Sequence, residues 1–230
     1  MDLLEGLATT RAIRRYTGEP VTDQELATIL WAATRGPSGS NRQPFRFVVV
    51  RHGPRAIEAR RLLGAAARRL WASKRVSDGY EAGSGGEPDS PKARMARTMQ
   101  HYTDHLADAP VIVLACLVRY REPNPFEGSS VYPACQNLLL AARSIGLGGV
   151  LSQIQLLVDQ ELRAALDIPE TVAMHATITL GHPAGAHGPV RRRPLGEVVY
   201  EDTWGVSPSW AVDPAGTRFT QAGPSRARPR

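Results

Sequence analysis

The sequence predicts a single α/β or α+β domain in which helices cover a central sheet. Three observations lead there. Apolar β-branched runs alternate with stretches of helical periodicity along the chain. Its 230 residues suffice for one large domain and fall short of two ordinary ones. The 42% hydrophobic content supplies a sizeable core and excludes wholesale disorder.

The elements follow in order. Residues 2–10 form a short opening helix, and a basic extended stretch runs from Arg11 to Thr17. Thr22 and Glu25 stand three apart as a capping box, followed by Leu26, Ile29, Leu30 and Ala33 at helical spacing. Gly36-Pro37-Ser38-Gly39 stops that helix. Phe45 to Val50 reads as a strand buried on both faces. Pro54 opens a long Ala/Arg/Leu helix to about Val76. Turn formers fill Ser77 to Pro91, a loop or lid with little to bury, and a helix then spans about Pro91 to Leu106.

Val111 to Val118 is a second buried strand, Pro123 to Gly128 a turn, and Tyr132 to Ile145 an apolar helix. Gly146-Leu147-Gly148-Gly149 feeds a third strand to about Gln153. Val158 to Leu166 is a helix and Val172 to Leu180 a fourth strand. The last fifty residues hold Pro, Gly and Arg with one short apolar run, Leu195 to Tyr200. Such a segment makes no core of its own, so it must lie across this chain or a partner. No internal repeat is visible.

Charge and cysteine usage narrow the chemistry. The 28 Lys and Arg exceed the 22 Asp and Glu, and all but Lys74 and Lys92 of those cations are arginine. Arginine pairs bidentately with phosphate and carboxylate, although genomic bias toward arginine gives the same composition. Cys116 and Cys135 lie in apolar runs outside any metal-ligand spacing. No apolar run reaches the ~18 residues of a membrane span, and the first ten residues lack the order of a secretion signal. A soluble, cytoplasmic protein is expected.

Several active-site signatures are missing. The 146–149 glycines lie between a helix and a strand, the reverse of a dinucleotide fingerprint, and Leu151 replaces its third glycine. No phosphate-binding G-x-x-x-x-G-K-[ST] and no G-x-S-x-G occur. His101 and His105 stand four apart without the Glu or third ligand of a zinc site, so a solvated helix face is expected. With no nucleophile, metal centre or acid–base pair in view, a cofactor would have to carry any chemistry.

Two segments remain: Arg11-Ala12-Ile13-Arg14-Arg15-Tyr16 and Pro37-Ser38-Gly39-Ser40-Asn41-Arg42-Gln43-Pro44-Phe45. Basic side chains and a turn of free N–H groups suit a phosphate and a polar ring edge. With GLGGVLSQI after the apolar helix and GHPAGAHGPVRRRPLGEVV near the end, the sequence resembles the FMN-dependent nitroreductase superfamily. The resemblance runs from about residue 7 to residue 205 and is loosest between 52 and 108.

The resemblance implies an α+β nitroreductase-like fold: a central mixed sheet flanked by helices, dimeric, with C-terminal arms exchanged. It implies an FMN-binding domain over 1–205 with a variable lid at 77–100, and a disordered tail over 206–230 that includes Arg218, Arg226, Arg228 and Arg230. Arg11 falls on a phosphate position and Arg14 on the flavin N1/C2 edge. Thr10 and Ala12 replace the family's Arg and Ser, so Ala12 offers only its backbone. Pro37, Ser38, Gly39 and Asn41 would lie against a flavin, commonly the other subunit's, with Gln43 less well matched. Leu151, Ser152 and Gln153 would line the ring near N5, and Arg192, assisted by Arg191 or Arg193, would take the phosphate.

The implied activity is hydride transfer from NADH or NADPH through flavin N5 to a nitroaromatic, quinone or enone acceptor, by a ping-pong sequence with no protein catalytic residue. A flavin-dependent dehydrogenase or oxidase of a biosynthetic intermediate, and an FMN store without turnover, are the alternatives. Nucleic acid is not expected as a partner, because no aromatic residues interleave the 191–193 arginines.

Overall fold

The computed structural model describes residues 1–213; the tail arginines from Arg218 onward lie outside the described residues. Its helices are α1 (Leu3–Thr9), α2 (Asp23–Ala33), α3 (Pro54–Ser77), α4 (Pro91–Asp104), α5 (Tyr132–Ser144) and α6 (Asp159–Leu166). Its strands are β1 (Phe45–Val50), β2 (Val111–Val118), β3 (Gly148–Ser152) and β4 (Val172–Gly181). The chain divides into two units, residues 12–186 and a second formed by Met1–Arg11 with the segment from His187 onward.

The larger unit holds the sheet, ordered β1-β2-β4-β3. Every pairing among the described strands is antiparallel, which corrects the expectation of a mixed sheet. Apolar runs show that strands are buried without showing which way their neighbours run, and direction was the part the sequence left open. β2 lies at the centre, and its side chains alternate between two cores. Ile112, Leu114 and Cys116 pack with Ala59, Leu63, Ala66, Leu106 and Leu162 from the α3, α4 and α6 side. Val113, Ala115 and Leu117 pack with Leu26, Ile29, Ala33, Leu138 and Ala142 from α2 and α5. Helix, sheet and helix therefore form three layers.

β1 differs from its expected double burial. It is an edge strand in which Phe45 and Val50 are buried, Phe47 to Val49 half-buried and Arg46 exposed. The α2 N-terminus forms as its sequence dictates: Thr22 Oγ1 accepts the Glu25 N–H at 3.2 Å, and Glu25 accepts the Thr22 N–H at 2.8 Å. At the other end of α2, Gly36 is required because a Cβ there would stand 2.7 Å from the Ala134 backbone nitrogen. The two layer-forming helices α2 and α5 approach closely through this contact.

The basic segment is laid along the outer edge of the sheet. Ile13 N–H donates to Gly149 O at 3.0 Å, Thr17 N–H to His182 O at 2.9 Å and Ala184 N–H to Arg15 O at 3.0 Å. Tyr16 bridges to Pro183 in the same run. These bonds fix the direction of Arg14. Arg60 ties α3 to the approach to β2, donating to Val50, Ala107, Ala109 and Pro110 carbonyls.

In the second unit, Val190 N–H donates to Ala8 O at 2.9 Å, holding the late segment on α1. Leu195 N–H caps on Asp213 Oδ1 at 3.2 Å, and Trp210 Nε1 donates to Glu201 at 3.1 Å. Residues 206–213 thus carry hydrogen bonds within this unit.

Candidate functional site

A cavity of about 180 Å³ opens in the larger unit where the β3 edge meets α3 and α4. Arg14, Leu151, Ser152 and Gln153 all line it, so the structure brings together four of the residues singled out in the sequence. Its opposite wall is apolar: Ala67, Leu70 and Trp71 from α3, Met99 from α4, with Val150 and Ile154 beside the strand. Trp71 is buried and fixed by its Nε1 donating to Gln100 Oε1 at 3.0 Å, while Asp104 holds the Gln100 amide at 3.0 Å.

The strand geometry explains what β3 offers. Gly149 turns its carbonyl to the outer edge, where Ile13 donates to it. By the two-residue repeat of a strand, Leu151 presents its backbone N–H and C=O to that same edge. Ser152 Oγ donates to Thr177 O at 3.3 Å, and Gln153 Nε2 donates to Tyr132 Oη at 2.9 Å. Tyr132 in turn stacks edge-on against His175, whose pKa burial depresses.

Behind Arg14 lies a hydroxyl cluster that the sequence reading did not find. Tyr16 Oη lies 2.7 Å from Thr179 Oγ1 and donates to Ile13 O at 2.8 Å. Tyr102 Oη lies 3.3 Å from the same Thr179 hydroxyl and also meets Ser152. Burial raises both tyrosine pKa values, so they act here as neutral hydrogen-bonding groups. The signal for the α3 wall was available: Ala67, Leu70, Trp71 and Lys74 stand at i, i+3, i+4 and i+7, one helix face.

The other expected positions lie elsewhere. Gly39 of the 37–41 turn lines a separate cavity with Arg42, Tyr120, Phe126 and Ser130. Its N–H donates to Ser130 Oγ at 3.2 Å, and Ser38 Oγ accepts the Gln43 N–H at 2.9 Å. Ser40, Asn41 and Gln43 all adopt positive φ, near 50°. Pro37 and Asn41 are exposed. Ala12 is exposed at the start of the larger unit.

Arg11, Arg192 and Arg193 are exposed and belong to the second unit, where the Arg11 guanidinium lies beside Gly188. Arg192 Nη1 donates to Arg191 O at 2.9 Å. The Thr10 hydroxyl is occupied, donating to Gly6 O at 2.6 Å at the end of α1.

Of the remaining titratable groups, His101, His105 and Asp108 line a second cavity of about 180 Å³ together with Arg14, Arg15 and Tyr102. Burial pushes the Cys116 thiol up to about 11 and the Cys135 thiol up to about 12, which leaves both inert. His101 and His105 sit with ring centroids 4.6 Å apart, His105 exposed and 3.1 Å from Asp108. Among the described residues no group of His, Cys, Asp and Glu is arranged to hold a metal ion. No described helix is long and apolar enough to cross a membrane.

The family model described as the Nitroreductase family matches residues 7–182. A Methanothermobacter thermautotrophicus protein provisionally named NADH dehydrogenase/NAD(P)H nitroreductase is 30% identical over 187 residues, covering 80% of this chain and 78% of the relative. A provisionally assigned nitroreductase from Desulfovibrio desulfuricans, solved in complex with FMN, superposes with a TM-score of 0.62 at 29% identity, over 89% of this chain and 98% of that one. An FMN- and NADPH-dependent nitroreductase from Sphingopyxis sp. strain HMH gives a TM-score of 0.64 at 25% identity, over 89% and 100%. Fold, edge motif and sequence agree: the chain belongs to the nitroreductase family.

Proposed function

We propose that this protein is an FMN-dependent oxidoreductase that draws reducing equivalents from NADH or NADPH and delivers them to an electron-poor acceptor of nitroaromatic, quinone or enone type. The observation that carries the reading is the convergence of Arg14 and the open β3 edge at Leu151–Gln153 on one apolar-walled cavity. The family membership and the FMN- and NADPH-dependent relatives support it.

The residues present suit a flavin. A cation, an outward backbone amide and a flat apolar wall match a ring system with a polar edge and hydrophobic faces. When bound, FMN would supply the redox chemistry, taking a hydride at N5 from NAD(P)H and returning it to the acceptor from one shared face, a ping-pong sequence. Arg14 would sit at the N1/C2 edge and stabilise negative charge there. Leu151, Ser152 and Gln153 would flank N5, Leu151 through its outward backbone amide. Trp71, Leu70 and Met99 would keep water from the reacting face. Proximity and tuning then suffice without a protein acid or base.

Arg11, Arg192 and Arg193 would hold the phosphate, Ala12 contributing its backbone alone. Pro37, Ser38, Gly39 and Asn41 would serve the cofactor of a second copy, which makes the working form a homodimer with exchanged C-terminal arms. The cofactor domain would span 1–205, with 77–100 as its lid and 206–230 as a tail, in a cytoplasmic protein.

The test is direct. Purified protein should be yellow, bleach with NADPH or NADH under nitrogen, and recover colour with a quinone. Bound flavin that neither nucleotide bleaches would replace the reductase reading with an oxidase or an FMN store. Arg14→Ala should weaken FMN retention about ten-fold or more, the loss of one charge-assisted contact. Unchanged flavin occupancy would remove Arg14 from the site.

A further inference from the structure

We infer that Lys74 makes this site selective for acceptors that carry an anionic group, an aromatic carboxylate in particular. The inference rests on the proposed function above and names its substrate class. Lys74 lies one helical turn beyond Trp71 on the α3 face that walls the cavity. Among the described residues the cavity is lined by two cations, Arg14 and Lys74, and by no acidic side chain. Arg14 is assigned to the cofactor edge. The second cation stands on the same α3 face as Leu70 and Trp71, the wall assigned to the reacting side.

The chemistry of the residue fits that duty. Nearly every other basic position in the chain is arginine, whose planar fork locks onto a partner in fixed geometry. Lysine instead offers a compact charge with rotatable donors on a flexible stem, able to follow carboxylates of different length. Lys74 Nζ is held by Asp78 Oδ2 at 3.1 Å, with the two side chains about half and one third exposed. An i, i+4 pair this exposed contributes little to stability, so a substrate carboxylate can displace it. Asp78 thus holds the ammonium until an anion arrives.

The experiment compares 4-nitrobenzoate with its neutral isostere 4-nitrobenzamide as acceptors in the flavin-loaded protein. Each NADPH and proton take one nitro group to the nitroso level with release of water. Calorimetric titration with unreactive benzoate and benzamide supplies a binding readout that needs no turnover. The wild type should favour the acid. In Lys74→Met that preference should fall about five-fold in both KM and Kd, the scale of one partly exposed ion pair. In Asp78→Asn the preference should rise, and in Lys74→Arg it should be largely retained.

An acid-to-amide preference unchanged in Lys74→Met would overturn the inference. So would a Lys74→Met effect on NADPH or FMN affinity in place of the acceptor. If the wild type reduces neither nitro compound but its benzoate preference still collapses in Lys74→Met, the acceptor chemistry is wrong and the role of Lys74 stands.

Discussion

Replacing Gly149 with alanine tests how tightly the site strand is seated. A Cβ at this position would stand 2.5 Å from the Thr179 carbonyl oxygen, 2.7 Å from Leu180 Cδ2 and 3.2 Å from Leu139 Cδ2. The first neighbour is backbone of the adjacent strand, so relief requires β3 to move away from β4. Overpacking of this kind costs about 1–3 kcal/mol. The Ile13–Gly149 hydrogen bond, stretched by the same shift, adds about 1 kcal/mol. Gly149 does not adopt positive φ, so the alanine also gains up to about 1 kcal/mol by restricting the unfolded chain. The net expectation is a loss of about 2–3 kcal/mol, or roughly 4–12 °C in Tm for a chain of this size. Urea and thermal unfolding of Gly149→Ala and of Gly185→Ala measure it. Gly185 has nothing within 4 Å of its virtual Cβ and should be neutral or slightly stabilised. A Gly149→Ala protein within about 0.5 kcal/mol of wild type would refute the steric argument.

Two further perturbations probe the frame. Arg60→Met leaves four carbonyls around a half-buried position without their donor and should cost about 3 kcal/mol; a urea-derived loss below about 1 kcal/mol would show that water replaces the guanidinium. Glu127 has its pKa lowered chiefly by the Arg119 hydrogen bonds at 2.9 and 3.2 Å. Because the unfolded state binds this proton more readily, the contribution is present above the ordinary value of 4.5 and is lost as pH falls below it through the folded-state value. Unfolding followed from about pH 6 to about pH 3 should fall less steeply in Glu127→Gln, and parallel curves would exclude the pair as an acid-sensitive element.

The sequence was most informative where a local pattern has one physical meaning. The Thr22/Glu25 capping box, the apolar run at Val111–Val118 and the breaks at Gly36 and Gly146 were all legible, because each depends on near neighbours. Strand direction was not legible, since a run such as VIVLACLV is buried equally well between parallel or antiparallel partners. The half-exposure of β1 escaped for the same reason: edge position is a property of the sheet. Within the candidate site, Arg14 and Leu151–Gln153 stood out by motif. Tyr102 and Thr179 did not, because hydroxyls 77 residues apart meet only through tertiary packing. Trp71 and Lys74 could be read as one face of α3, yet nothing local said which surface that face would meet.

The pinning of the Arg14 segment has a consequence for biosynthesis. Residues 13–17 emerge from the ribosome early, but among the described residues the backbone bonds that orient them come from positions 149, 182 and 184. The Tyr16 hydroxyl waits for Thr179, 163 residues downstream. A nascent chain can therefore build helices in order of synthesis, while the cavity is completed only when the last sheet strand has docked. Cofactor capture becomes a late event, and a chain stopped short of residue 182 would keep Arg14 and Leu151–Gln153 and lose the cavity they line.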